Sequence, residues 1–399
     1  MLPTTAAPRA LRVVRGRPEL AIFGYAALQQ RPLSSSPVHA HRAGQVVTFN
    51  NVSSPELAEL LDTLRQKVFL PTYLSKAQRQ KIHDPKYERV LKHDPIMMEI
   101  DGEKHQFRYV DRMKEMPNTV ATIRRVINAM KTRADFDNVF PLLEGCQRAR
   151  RRLPPSTWPK LIRRAAEHDN LRVIMDCVKE VEETGFRLNT SEKVAELLSQ
   201  FQRPAIESGF DLAKTTYALR QVNLVLNILE GDLKTEQHKP TRGAGRFPFY
   251  RDPQMLAVRL HLAAALAVHH SEGKDPKGRV ASYAQELVAL WPENAGLLDL
   301  QPDEAFRDRE KMRYLLDRNN YLWYAAPILN GLTLAAQVVD PALAMQLQNR
   351  ADAVESEVRV ALDSLEVKDG RGKYIYDKLF NTEAKEEEEK ETTEAAEGA

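Results

Sequence analysis

The chain has two cysteines, Cys146 and Cys177, in 399 residues. Two thiols cannot complete a zinc site or build a disulfide framework, so a reducing compartment is expected. Both fall in second-helix positions of the repeats described below, where a small thiol is an ordinary core residue. No uninterrupted apolar run makes a secretory signal. The most apolar window, Tyr321 to Val339, carries Pro327, Asn330 and Gln337 and reads as a buried helix, with no membrane span expected. Catalytic patterns are also missing: there is no HExxH, no Ser-His-Asp grouping and no pair of carboxylates at a working spacing. Gly243-Ala244-Gly245-Arg246 lacks the Lys-Ser/Thr of a P-loop and a preceding strand, and reads as a flexible basic loop. His261 and His269 share a helix face but are too far apart to hold one ion. No catalytic residue, cofactor or metal is expected.

Acids are nearly absent from the N-terminus. Residues 1–54 hold six arginines, no lysine and one acid, Glu19, whereas the segment from Glu383 to the end holds eight acids and two lysines. The overall charge of +3 conceals that opposition. Arg9, Arg12, Arg15 and Arg17 recur at about helical spacing among Leu11, Val13 and Val14, and Arg31-Pro32-Leu33-Ser34-Ser35-Ser36 follows. An arginine-bearing, Ala- and Ser-rich, acid-poor leader has the composition of a mitochondrial transit peptide, expected over residues 1–42, and it points to the mitochondrial matrix. The acidic end, 382–399, reads as a disordered tail.

What remains is helical. Residues 46–118 form an N-terminal region in which Ser54-Pro55-Glu56 sets a helix start and Leu57, Leu60, Leu61 and Leu64 line one face. The exception lies near residues 96–110, where Asp101-Gly102 separates Ile96–Ile100 from Glu103–Val110 and predicts a tight β-hairpin. Residues 234–252 form a basic Gly/Pro loop and are expected to mark the boundary between the repeats and long helix of 119–233 and the helical hairpins of 253–366. Helices are expected over Phe210–Leu233, Pro253–His270, Arg279–Leu290, Asp303–Asp317, Tyr321–Val338 and Pro341–Leu365.

Residues Thr119–Leu153 superimpose on Pro154–Leu188 at an offset of 35 without a gap, and a third copy opens at Asn189. Val126-Ile127 falls on Leu161-Ile162, Phe136 on Leu171, Val139-Phe140 on Ile174-Met175, and Arg152-Leu153 on Arg187-Leu188. A period in the mid-thirties built from two helical patterns marks a helix-pair solenoid, so the fold is expected to be all-α, mostly, with one small hairpin.

Over residues 119–201 this pattern resembles the pentatricopeptide-repeat family. Ala121-Thr122-Ile123 and Ser156-Thr157-Trp158 stand where that family opens its first helix, Val126-Ile127 and Leu161-Ile162 match its Leu-Ile pair, and Gly185-Phe186-Arg187-Leu188-Asn189 matches its closing turn with Leu188 in place of proline. In a single copy, Ala289-Leu290-Trp291-Pro292-Glu293-Asn294 resembles the close of a tetratricopeptide repeat. The pentatricopeptide resemblance implies an RNA-binding superhelix. Its base-reading fifth positions, however, would be Arg125 and Lys160, which suit phosphates better than base edges.

Between Thr119 and His168 there are eleven basic residues against four acids. The candidates for phosphate contact are Arg124, Arg125, Lys131, Arg150, Arg151, Arg152, Lys160, Arg163 and Arg164. The expected role is non-catalytic and lies in organellar gene expression, as a mitoribosome-associated component or an RNA-binding maturation or translation factor. Mitochondrial or ribosomal RNA and mitoribosomal proteins are the expected partners. The alternative is an assembly factor that holds respiratory-complex proteins through its helical repeats.

Overall fold

The structure, a computed structural model, describes residues 46–232, 235–241, 245–307, 311–365 and 369–381. The expected transit peptide, Gly243-Ala244 of the basic loop and the acidic tail lie outside the described residues.

Helix α1 (Pro55–Leu64) starts where its cap predicts. Ser54 Oγ accepts the Leu57 N–H at 3.2 Å, and Leu57, Leu60, Leu61 and Leu64 are buried. Short helices α2 (Lys76–Lys81) and α3 (Glu88–His93) lead into β1 (Ile96–Ile100) and β2 (Glu103–Phe107). The strands pair antiparallel from Ile96 opposite Phe107 to Ile100 opposite Glu103. Asp101 (φ 54°) and Gly102 (φ 81°) supply the two positive φ values that the tight turn needs. β2 ends at Phe107, short of the expected Val110, because the Val110 N–H donates to Ile82 O at 2.8 Å and leaves the ladder.

The repeats follow as α4 (Thr119–Ala129), the single turn α5 (Arg133–Phe136), α6 (Val139–Arg148), α7 (Thr157–Glu167), α8 (Leu171–Lys179), the single turn α9 (Val181–Thr184), α10 (Ser191–Glu207) and α11 (Leu212–Gly231). Burial keeps the 35-residue offset. Val126 and Leu161, Ile127 and Ile162, Met130 and Ala165, Val139 and Ile174, and Leu143 and Val178 are all core residues. Helix ends do not keep it: α7 begins only at Thr157, since Pro154 and Pro155 lack the N–H groups of a helical turn and push the residue before each of them toward extended backbone. Packing positions therefore carry the repeat, and the connecting turns vary.

Gly185 closes the second pair in the left-handed region, with φ 68° and its N–H on Val181 O at 2.8 Å. A Cβ there would also lie 2.8 Å from Gln147 Oε1. Gly185→Ala is expected to cost about 1–2 kcal/mol, since an L side chain pays that for left-handed backbone. A urea midpoint unchanged from the parent protein would refute the assignment.

After the basic loop come α12 (Pro253–His270), α13 (Arg279–Leu290), α14 (Asp303–Arg307), α15 (Arg318–Ala336), α16 (Pro341–Asp363) and α17 (Arg371–Phe380). The single helix expected over 303–317 is not formed. α14 is described as far as Arg307, the Met312 N–H turns back to Ala305 O at 2.9 Å, and Arg313–Leu316 is a 3-10 turn that sends Tyr314 and Leu315 inward. α15 is buried on nearly every side and packs on α12, α16 and α17, as its apolar composition predicts. Among the described residues no helix is long and apolar enough to cross a membrane. The protein is all-α except for the one hairpin, among the described residues. Helices α4, α7, α10, α12 and α15 contact one another in succession.

Candidate nucleic-acid interface

Helix α4 shows why its cations face solvent. Thr122, Ile123, Val126 and Ile127 take the buried stripe, which leaves Arg124 and Arg125 on the exposed side. Arg125 meets Glu56 at 3.2 Å in a pair whose two side chains are mostly exposed; such a pair contributes little and can exchange partners. Arg124 and Lys131 are exposed, Lys160 on α7 is half-buried, and none of the three side chains has a hydrogen bond or ion pair among the described residues.

Arg163 and Arg164 are placed differently. The Arg163 guanidinium donates to Glu196 at 3.1 Å, and Glu196 is fully buried on α10. Arg371 Nη1 reaches the same carboxylate at 2.9 and 3.0 Å, Gln200 at 2.9 Å and the Tyr324 hydroxyl at 2.9 Å. Burial alone would raise the Glu196 carboxyl, but Arg371 and Arg163 more than offset this and hold it below its ordinary value. Arg164 is tied to Glu167 and donates to Met130 O at 3.2 Å, which fastens α7 to the end of α4. These two arginines hold helices together, and their charges are already met within the fold.

Arg150, Arg151 and Arg152 come together beyond the end of α6. All three are exposed, and their side chains have no partner among the described residues. Neighbouring Arg148 is fixed by the buried Glu144 at 2.6 Å and by the Tyr73 hydroxyl at 2.6 Å. The arginine run borders a cleft of about 660 Å³ whose other walls include Trp158, Gly185, Arg187, Asn189 and Lys193. No Asp or Glu lines it among the described residues. Lys193 Nζ donates to Asn189 Oδ1 at 2.8 Å and Arg187 O at 3.2 Å, and lies 5.2 Å from the centre of the Trp158 ring. Trp158 in turn meets Phe186 edge-on, with centroids 4.8 Å apart.

The sequence model of the family described as "Mitochondrial ribosomal protein mS27" matches residues 31–379. The chain belongs to the mitochondrial ribosomal protein mS27 family. It is 42% identical to the "Small ribosomal subunit protein mS27" of Neurospora crassa over 367 residues, 88% of this chain and 92% of that protein. Membership in the mS27 family gives the protein its place in the mitochondrial matrix and in organellar gene expression. The mS27 family is one of ribosomal proteins and is not an enzyme family. Nothing in the likeness to mS27 supports the alternative of a respiratory-complex assembly factor.

Sequence reasoning did not select Arg187, Lys193 or Trp158. The repeat held the signal, because at the 35-residue offset Arg187 is the counterpart of Arg152, and Lys193 that of Trp158. Both cysteines are buried, and burial pushes the Cys146 thiol up to about 12.

Proposed function

We propose that the protein is a structural, non-catalytic component of the small subunit of the mitochondrial ribosome. It would hold ribosomal RNA by its exposed cations and neighbouring ribosomal proteins by the rest of its helical surface. The carrying observation is the group of exposed arginines at 150–152, whose side chains have no counter-charge among the described residues, in a chain of the mS27 family. Cations that the fold leaves unpaired are the ones free to neutralise phosphates, and release of RNA counterions then supplies binding energy. Arg124, Arg125, Lys131 and Lys160 extend the same character onto α4 and α7, while Arg163 and Arg164 contribute by fixing those helices. Equal burial at equal repeat positions supports reading the helix pairs as pentatricopeptide-type units that have exchanged base reading for charge.

Sucrose-gradient sedimentation of mitochondrial lysate tests this reading. The protein is expected to migrate with the small ribosomal subunit and to shift to lighter fractions after ribonuclease digestion. A light position that ribonuclease does not change would overturn it.

A further inference from the structure

At the end of α6 an arginine stands where the backbone favours glycine. Arg150 has φ 52°. Its N–H bonds Gln147 O at 3.0 Å, and the next N–H, of Arg151, bonds Cys146 O at 2.8 Å. This double bond pattern closes a helix through a left-handed residue, a position that glycine fills without strain. Strain of this kind persists where the surrounding structure holds it, and such residues cluster at functional sites. Here it points the chain back on itself, so that three successive arginines border the cleft shared with Arg187 and Lys193.

Five cations border one cleft that no carboxylate lines among the described residues. Like charges held together repel, and an anion from outside relieves that repulsion while it gains charge-assisted hydrogen bonds. Four of the five are arginines, whose planar forks match phosphate oxygens in pairs. The half-buried Trp158 ring beside them adds an aromatic surface, a combination that suits nucleotides better than acidic side chains. We propose that this cleft is a phosphate pocket for the backbone of single-stranded RNA. Lys193, buried and held by Asn189 and the Arg187 carbonyl, is the fixed charge of its wall. The exposed arginines are the arms that close on the phosphodiester. The pocket rests on the reading that the protein docks on RNA, and it narrows the contact to one place in the fold.

The test uses the full chain and a fluorescein-labelled single-stranded oligouridylate, with binding read by anisotropy over a range of potassium chloride concentrations. The double variant R151E/R187E is expected to weaken binding by more than about tenfold and to flatten the slope of log K against log salt by about 1.4, two phosphate contacts' worth for a single strand. The comparison variant R124E/R125E also weakens binding, but by less than the cleft pair does, because exposed cations outside a pocket contribute less each. Arg150→Gly separates folding from binding: it is expected to raise Tm by about 2 °C as strain is relieved, and still to weaken the oligonucleotide. If the α4 pair costs as much as the cleft pair, RNA binding is diffuse; the pocket is then overturned and the RNA reading stands. If R151E/R187E loses a polyglutamate peptide but keeps the oligouridylate, the cleft is an acidic-peptide site and the pocket is overturned. If the parent protein does not retain the oligouridylate even at low salt, the RNA reading itself fails.

Discussion

Glu196→Ala is expected to lower the free energy of unfolding by about 3–5 kcal/mol, the cost of removing one partner from a buried ion pair. Glu196 has no exposed surface, and Arg163, Arg371, Gln200 and Tyr324 all converge on it. The alanine leaves two guanidiniums in a partly buried place without a carboxylate and removes the bond that ties α17 to α10. At the 35-residue offset Glu196 stands where Val126 and Leu161 are core residues, so an apolar side chain fits the position geometrically. Glu196→Leu alone therefore destabilises like the alanine, because the arginines are still stranded. The triple variant E196L/R163L/R371M recovers most of the loss, since a packed apolar core can replace a buried charge cluster at little cost. The folded carboxyl lies below its ordinary value, so its contribution is present above that value and is lost as pH falls through the folded one. Urea unfolding of the three variants at neutral pH decides the matter; an alanine variant within about 1 kcal/mol of the parent would show that the cluster does not hold α17.

Two other buried groups make the dependence of stability on pH run in opposite directions. His261, on α12, accepts from Gln202 at 2.6 Å through Nδ1 and donates to Asn330 Oδ1 at 2.9 Å through Nε2. The neighbours assign that neutral tautomer, because a proton on Nδ1 would face the Gln202 amide N–H. Burial, which disfavours the charge, lowers the imidazole from 6.5 to about 4. The unfolded chain therefore takes up a proton first, and stability drains away as pH falls from 6.5 toward 4, by about 3 kcal/mol in all. Asp252 caps the same helix, accepting from the Gln254 N–H at 3.0 Å and from Gln301 at 3.1 Å. Burial pushes its carboxyl from 3.8 up to about 7, so the folded chain holds the proton longer and stability falls as pH rises across that window, by about 4 kcal/mol. The expected result is a pair of difference profiles of opposite slope. The stability of the parent minus that of His261→Gln grows from pH 4 to 6.5, and the stability of the parent minus that of Asp252→Ser shrinks from pH 4 to 7. Chemical denaturation at four pH values measures both, and parallel profiles would remove the assigned protonation states.

Legibility in the sequence followed the range of the interaction. The turn at Asp101-Gly102, the cap at Ser54 and the bounds of α12 and α13 rest on neighbours in the chain, and residue type announces them. The repeat offset named core positions such as Val126 and Leu161 because packing recurs with the period. α17 escaped notice: its buried residues are few, and it is held by Arg371 on Glu196 and by the Gly372 N–H on Asn319 Oδ1 at 2.7 Å. Those partners lie far away in sequence, and no local pattern reports them. The same limit applied to the basic candidates. Arg163 and Arg164 look as available as Arg150–Arg152 in one dimension, and only the fold shows which carboxylate has already claimed a charge.

The hairpin does not share the long core of the helices. Val46, Leu70, Leu74, Ile82, Leu91, Ile100 and Phe107 form a separate small cluster, with Tyr73, Ile96, Met98 and Tyr109 packed against it. A cluster of seven buried apolar residues removes far less surface from water than the helical core does, and the free energy of opening scales with that surface. The hairpin and its short helices are therefore expected to open at a lower free-energy cost than the helix pairs, and faster amide exchange there is the measurement that checks it. In an assembly built by successive docking, a lobe that is cheap to rearrange is the part of the protein that can still be fitted to its neighbours after the rest has set.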